Sequence, residues 1–277
     1  MQEKLKRAVQ AIQGTKIPEL PEEVLMLERE LKSKFVNLGT VASIIEKNTT
    51  LSGELMRLVN SPIIKLKEPC RSIRDAVNVL GLDNIYNLLV SSALKNMFGQ
   101  KGLFKDIMDH SVDVAFCMAD ISEWVEGISR DEAYMLGLFH NCGALLLTSK
   151  DEKRYVPFFS SSMSLPTSII EREEKEYGTH HAMVGVLIAK KWHLPVDMIN
   201  AIMLHHIEEC GRIQNERVRA MVAMIKIANA IVSEISLGAY RGEEMRQYER
   251  DGIQELMMPY EVIKEIRTAL MSYAFKT

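Results

Sequence analysis

The stretch GLFHNCGALLL, Gly137 to Leu147, sets a histidine and an asparagine side by side inside an otherwise apolar run. Polar side chains taken out of water need partners, so the pair raises the question of what faces it. Read as one helix, the run places Ala133, Leu136, His140, Ala144 and Leu147 on a single stripe, at spacings of three and four. Asn141 lies one position round, still on the inward arc.

Working outward, other apolar stripes carry the same kind of residue. Ile107, His110, Val114, Cys117 and Ile121 line one face of the helical stretch before it. After it, His181, Gly185, Ile188 and Trp192 align behind a cap expected at Thr179. Leu194-Pro195 then breaks the chain, and Met198, Ile199 and Ile202 lead to His205 and His206. Val222, Ile225, Asn229 and Val232 form a further stripe. The candidate set is therefore His110, His140, Asn141, His181, His205, His206 and Asn229. His180 and His193 flank helix ends and read as surface residues, and the acidic run EREEKE reads as a solvated face.

No segment shows the period of two that a strand requires, so the fold class is all-α. Residues 3–12 form a short helix ending at Gly14, and another starts after Pro21. Leu38–Ile45 gives the next, and Thr49 caps a helix that Ser61-Pro62 stops. Ser72 and Asp75 have capping-box spacing before a helix ended by Gly81, and Asp83 caps the following one. Past Ile235 the chain is expected to loosen through SLGAYRGEEMRQYERDG. A last amphipathic helix then carries Val262, Ile266 and Tyr273.

With 277 residues, 47% of them apolar, the chain can bury one large core or two modest ones. A net charge of -3 with interleaved signs implies neither a nucleic-acid surface nor a polybasic membrane patch. Cys70, Cys117, Cys142 and Cys210 form no CxxC pair and read as reduced, buried thiols. No apolar run approaches the roughly 20 residues of a membrane span, since Lys226 and Asn229 interrupt the best candidate. The first ten residues carry no signal-peptide core, so a cytoplasmic protein is expected. P-loop, Gly-x-Gly-x-x-Gly, Gly-x-Ser-x-Gly and His-Glu-x-x-His motifs are absent.

TLSGELMRLVNSP followed by SIRDAVNVLGL resembles the front half of the HDOD domain, an all-helical bacterial relative of the HD-superfamily phosphohydrolases. The family usually has Asp-Pro where this chain has Thr49-Thr50. The resemblance implies an HDOD domain over residues 17–235, with helical extensions at 1–16 and 236–277. Catalytic HD enzymes hold divalent metal through a histidine, a His-Asp pair and a distant aspartate. By that resemblance His110, His140, Asn141 and Asn229 occupy those positions. His181, His205 and His206 resemble the extra ligands of HD-GYP phosphodiesterases.

Both aspartates are thus asparagines here. An asparagine offers a neutral carbonyl oxygen and cannot take up a proton. Without the two carboxylates, a buried metal loses counter-charge and its bound water loses a nearby base. The expectation is a non-catalytic regulatory or signal-transduction module that recognises a signalling protein or a small nucleotide-like ligand, without nucleic acid or membrane. The alternative is a residual metal-dependent phosphohydrolase acting on a nucleotide or cyclic dinucleotide. No cofactor is the leading expectation. A zinc, iron or manganese ion at His110, His140, His181, His205 and His206 is the other, and the bland reading is a hydrogen-bonded polar cluster.

Overall fold

The computed structural model describes residues 2–33, 35–60, 66–98, 101–235, 238 and 242–274. Among them the chain is helical, with two 3-10 turns and no strand. The chain opens with α1 (Gln2–Ala11), and an N-terminal layer is built from α2 (Glu22–Leu31), α3 (Leu38–Glu46), α4 (Thr49–Val59), α5 (Ile73–Leu80) and α6 (Leu82–Met97). The core follows as α7 (Gly102–Ile121), α8 (Arg130–Phe139), α9 (Cys142–Lys150), α10 (Glu152–Ser162) and α11 (Ser168–Tyr177). It continues with α12 (His181–Lys191), α13 (Val196–Leu204) and α14 (Glu216–Ile235). Last come α15 (Glu243–Leu256) and α16 (Tyr260–Ala274).

The stretch Gly137 to Leu147 lies at the centre, but not as one helix. α8 ends at Phe139, and Asn141 (φ -103°, ψ 14°) breaks the chain before α9 begins at Cys142. Every residue from Ala133 to Thr148 is buried, so this helix pair has no solvent face. The stripe of a single helix does not carry that information. α8 packs against α7 and α6, and α9 packs against α12. The second contact is close because both sides are glycine. A Cβ on Gly143 would stand 1.9 Å from the His181 carbonyl oxygen and 2.4 Å from the Gly185 nitrogen. That approach carries the first turn of α12 up to the α8–α9 break.

Helix ends explain several departures from expectation. Asn48, not Thr49, caps α4 by accepting from Leu51 N–H at 2.9 Å. Ser72 does accept from Asp75 N–H, as expected for α5. α6 starts at Leu82, so Asp83 lies within its first turn rather than capping it. The expected stop at Ser61-Pro62 and the side chain of Tyr273 lie outside the described residues. α12 is capped by His180, whose Nδ1 accepts from Met183 N–H, and not by Thr179.

The charged segment after residue 242 is a helix, not a loosened loop. Met245, Tyr248, Glu249 and Gly252 of α15 turn inward onto α14. Lys226, fully buried, pairs with Asp251 at 2.6 Å, donates to the Glu208 carbonyl and lies over the Tyr248 ring. A period of about 3.6 was present in this stretch, but its glycines and charges obscured it. The other end of the chain is tied down too, since Trp192 Nε1–H donates to the Pro18 carbonyl. No helix among the described residues is long and apolar enough to cross a membrane.

Candidate functional site

All seven residues picked from the sequence are buried, from 0% exposure for His140 and His205 to 7% for His206. The five histidines form one continuous group. Ring centroids lie 5.6 Å apart for His110–His140 and 5.4 Å for both His140–His205 and His181–His205. His206 closes the group at 3.9 Å from His205 and 4.7 Å from His181. His181, His205 and His206 each offer a ring nitrogen within 4.8 Å of the others.

The local fold decides how each ring is presented. His140 and His205 are the residues that end α8 and α13. Carbonyls in the last turn of a helix lack intrahelical donors. His140 Nδ1–H donates to the Gly137 carbonyl at 2.6 Å, and His205 Nδ1–H to the Ile202 carbonyl at 2.7 Å. Each bond satisfies a helix end and fixes a tautomer, leaving the Nε2 lone pair aimed into the cluster. His181 is set the same way by a carboxylate. Its Nδ1–H donates to Glu173 Oε2 at 2.8 Å, and its backbone N–H donates to the same oxygen.

Glu173 is fully buried, and Tyr155 O–H donates to its other oxygen at 2.6 Å. Burial alone would raise its pKa, but His181 and these hydrogen bonds hold it below the usual carboxylate value. The solvated-face reading of EREEKE therefore fails at this one residue. Ile169, Glu173 and Tyr177 stand four apart, a signal that was legible in the sequence. His180, expected on the surface, is buried at 7% exposure, whereas His193 is exposed as expected.

His110 and the two asparagines sit at the edge of the group. Neither ring nitrogen of His110 has a hydrogen bond of good geometry, and Asn229 Oδ1 is likewise buried without a partner. Asn229 lies beside both His110 and the Tyr248 hydroxyl. Asn141 is buried at the helix break next to His140. Tyr248 of α15 reaches in from beyond the expected domain and donates to the His205 carbonyl at 2.5 Å. Its ring stacks 6.4 Å from His206.

Desolvation holds His110, His140, His205 and His206 neutral. It lowers His110 to about 4 and, with the neighbouring rings, His140 to about 3. His205 and His206 fall well below the ordinary histidine value for the same reasons. His140, His181 and His205, with Nδ1 engaged, each leave Nε2 for a cation. His181 Nε2 and His205 Nε2 face each other at 3.4 Å, His206 Nε2 is 2.8 Å from His181 Nε2, and His140 Nε2 is buried with no partner. A divalent metal fits this donor set. Neutral nitrogen suits zinc or iron better than magnesium, calcium or manganese, which prefer oxygen. Glu173 stands behind His181 as the carboxylate that orients a metal-binding histidine.

Comparison with known proteins agrees with this architecture. The crystal structure of an HDOD domain protein of unknown function from Geobacter sulfurreducens superposes with a TM-score of 0.70 and 24% identity, covering 97% of both chains. A protein from Marinobacter aquaeolei VT8, described as a signal transduction protein, gives a TM-score of 0.69 at 18% identity. That match covers 99% of this chain and 63% of the other. An uncharacterized protein of Treponema pallidum (strain Nichols) is 26% identical over 195 residues; the match takes in 69% of this chain and 37% of the relative. The chain thus spans well under half of that relative's length. The HDOD domain family model matches residues 17–208, which contain every candidate except Asn229, and the chain belongs to the HDOD domain family.

Proposed function

We propose that the chain is a non-catalytic regulatory module of signal transduction, in which buried histidines hold a divalent metal as a fixed or sensing element. The observation that carries this reading is the enclosure of the cluster together with asparagine at positions 141 and 229. A hydrolytic site needs substrate to reach the metal and a base to receive a proton. Here the rings are at most 7% exposed, and neither asparagine can act as a base. The Marinobacter relative's description supports a signalling role. Partner recognition would then fall to the outer helix faces, with a signalling protein or a small nucleotide-like molecule as the object.

His181, His205 and His206 would hold the metal, with His140 the next nitrogen available. A bound zinc or iron ion would supply Lewis acidity and a fixed positive charge. The protein's own part is to set tautomers through Gly137, Ile202 and Glu173 and to keep water out. Metal analysis of tag-free protein, paired with a phosphodiesterase assay on the same sample, tests the reading. Near-stoichiometric zinc or iron that is lost in His205→Ala, without turnover, is expected. Protein that takes up no metal, even when loaded, would reduce the cluster to a hydrogen-bonded core. The second reading, a residual phosphohydrolase, is favoured by the converging lone pairs alone. Hydrolysis abolished by both chelation and His140→Ala would establish it.

A further inference from the structure

A second site lies between the N-terminal layer and the core, apart from the histidines. It is a cavity of about 580 Å³ walled by α2, the start of α6, the first turn of α8 and the corner between α12 and α13. Small-molecule sites span roughly 300–1,000 Å³, so the size is suitable. Leu31 and Pro195 give it apolar wall, and the rest is polar.

Three carboxylates line it, and two of them are neutralised. Glu28 is held by Lys32 and by His193 Nδ1 at 3.1 Å. Both oxygens of Glu132 accept from Arg217. Asp131 is only 3% exposed, and its side chain bonds to the neutral amide of Asn87. No cationic side chain among the described residues pairs with it. The first turn of α8 offers it partial positive charge, because Asp131 is the second residue of that helix. A buried carboxylate left without a full counter-charge favours the arrival of a cation.

Two independent features mark the same cavity. The Tyr86 hydroxyl lines it, is buried and has no hydrogen-bond partner. Burial and the charge of Glu28 push this phenol up to about 12, so it remains a neutral O–H able to donate or accept. His193, at the α12–α13 corner, has φ +54°, a left-handed conformation rare for a residue with a side chain. Held there, its ring reaches across to Glu28 and closes one wall.

We propose that this cavity binds a small organic cation of the guanidine or amine class, its N–H groups facing Asp131 and Tyr86 and its hydrocarbon part against Leu31 and Pro195. The walls belong to both layers, so an occupant fastens the N-terminal layer to the core. That gives the module an input separate from the histidine cluster, and the proposal stands whether or not the cluster holds metal.

Calorimetric titration of the full chain with agmatine and with spermidine at physiological salt tests this. One of the two is expected to bind at one per chain and to raise the melting temperature. Agmatine alone assigns the guanidine class and spermidine alone the amine class. Asp131→Asn should weaken binding at least tenfold, Tyr86→Phe several-fold, and chelation of metal should leave it unchanged. Failure of both compounds to bind overturns the proposal, as does equal binding by Asp131→Asn. Should Asp131→Asn not fold, Tyr86→Phe and the cavity-filling Leu31→Trp decide the matter, with wild-type affinity in both overturning it.

Discussion

Glu173 is the residue on which the histidine cluster turns. It receives three different donors, the Nδ1–H and backbone N–H of His181 and the hydroxyl of Tyr155, and all of them are buried. Together they fix His181 so that Nε2 faces His205 and His206. Glu173→Gln keeps the shape but replaces one acceptor oxygen with a donor and removes the charge. We expect metal affinity to fall by about 10- to 100-fold, the usual cost of losing a carboxylate behind a ligand. Competition with a chromogenic chelator measures it, and unchanged affinity would show that Glu173 merely fills space.

Among the elements, the α9–α12 contact sets the site's dimensions. Gly143 and Gly185 let two helix backbones approach until a Cβ at 143 would overlap the His181 carbonyl and the Gly185 nitrogen. Backbone cannot swing aside as a side chain can. Gly143→Ala should therefore cost about 3 kcal/mol, the upper part of the range for overpacked cores. A shift in the urea midpoint would report it, and a neutral result would mean that the helices slide apart freely. The same substitution should reduce metal retention, because it pushes His181 away from the α8–α9 break that carries His140. α15 bears on the site from the other side, with Tyr248 on the His205 carbonyl and Lys226–Asp251 binding α15 to α14.

For the molecule as a whole, burying neutral histidines links folding to pH. An unfolded histidine titrates near 6.5, whereas His110 and His140 are lowered to about 4 and about 3, and His205 and His206 well below normal. Below pH 6.5 the unfolded chain therefore binds more protons than the folded one, and stability falls as pH falls. Each such histidine contributes a slope of at most about 1.4 kcal/mol per pH unit until its folded value is reached. Chemical denaturation of metal-free protein should show stability that is greatest above about pH 6.5 and declines steadily toward pH 4. A flat profile across that range would mean that the rings are hydrated. Neutral rings also make metal uptake stronger at higher pH, since a ligand nitrogen must be unprotonated.

The sequence by itself determined the all-α class, the helix starts at Pro21 and Ser72, and the polar residue carried by each inward stripe. These follow from local rules, because a period near 3.6 and a capping side chain act within one or two turns. It was also enough to show that His110, His140, His181, His205 and His206 face inward. Only the tertiary structure decided that the five rings meet, that α8 and α9 break at Asn141, and that Glu173 leaves an acidic surface run to stand behind His181. The separation along the chain is the reason. Glu173 and His181 are close in sequence but belong to different helices, and His140 meets His205 across more than sixty residues. Such contacts are set by how closely Gly143 and Gly185 let helices pack, a property of two backbones together that no single stripe contains.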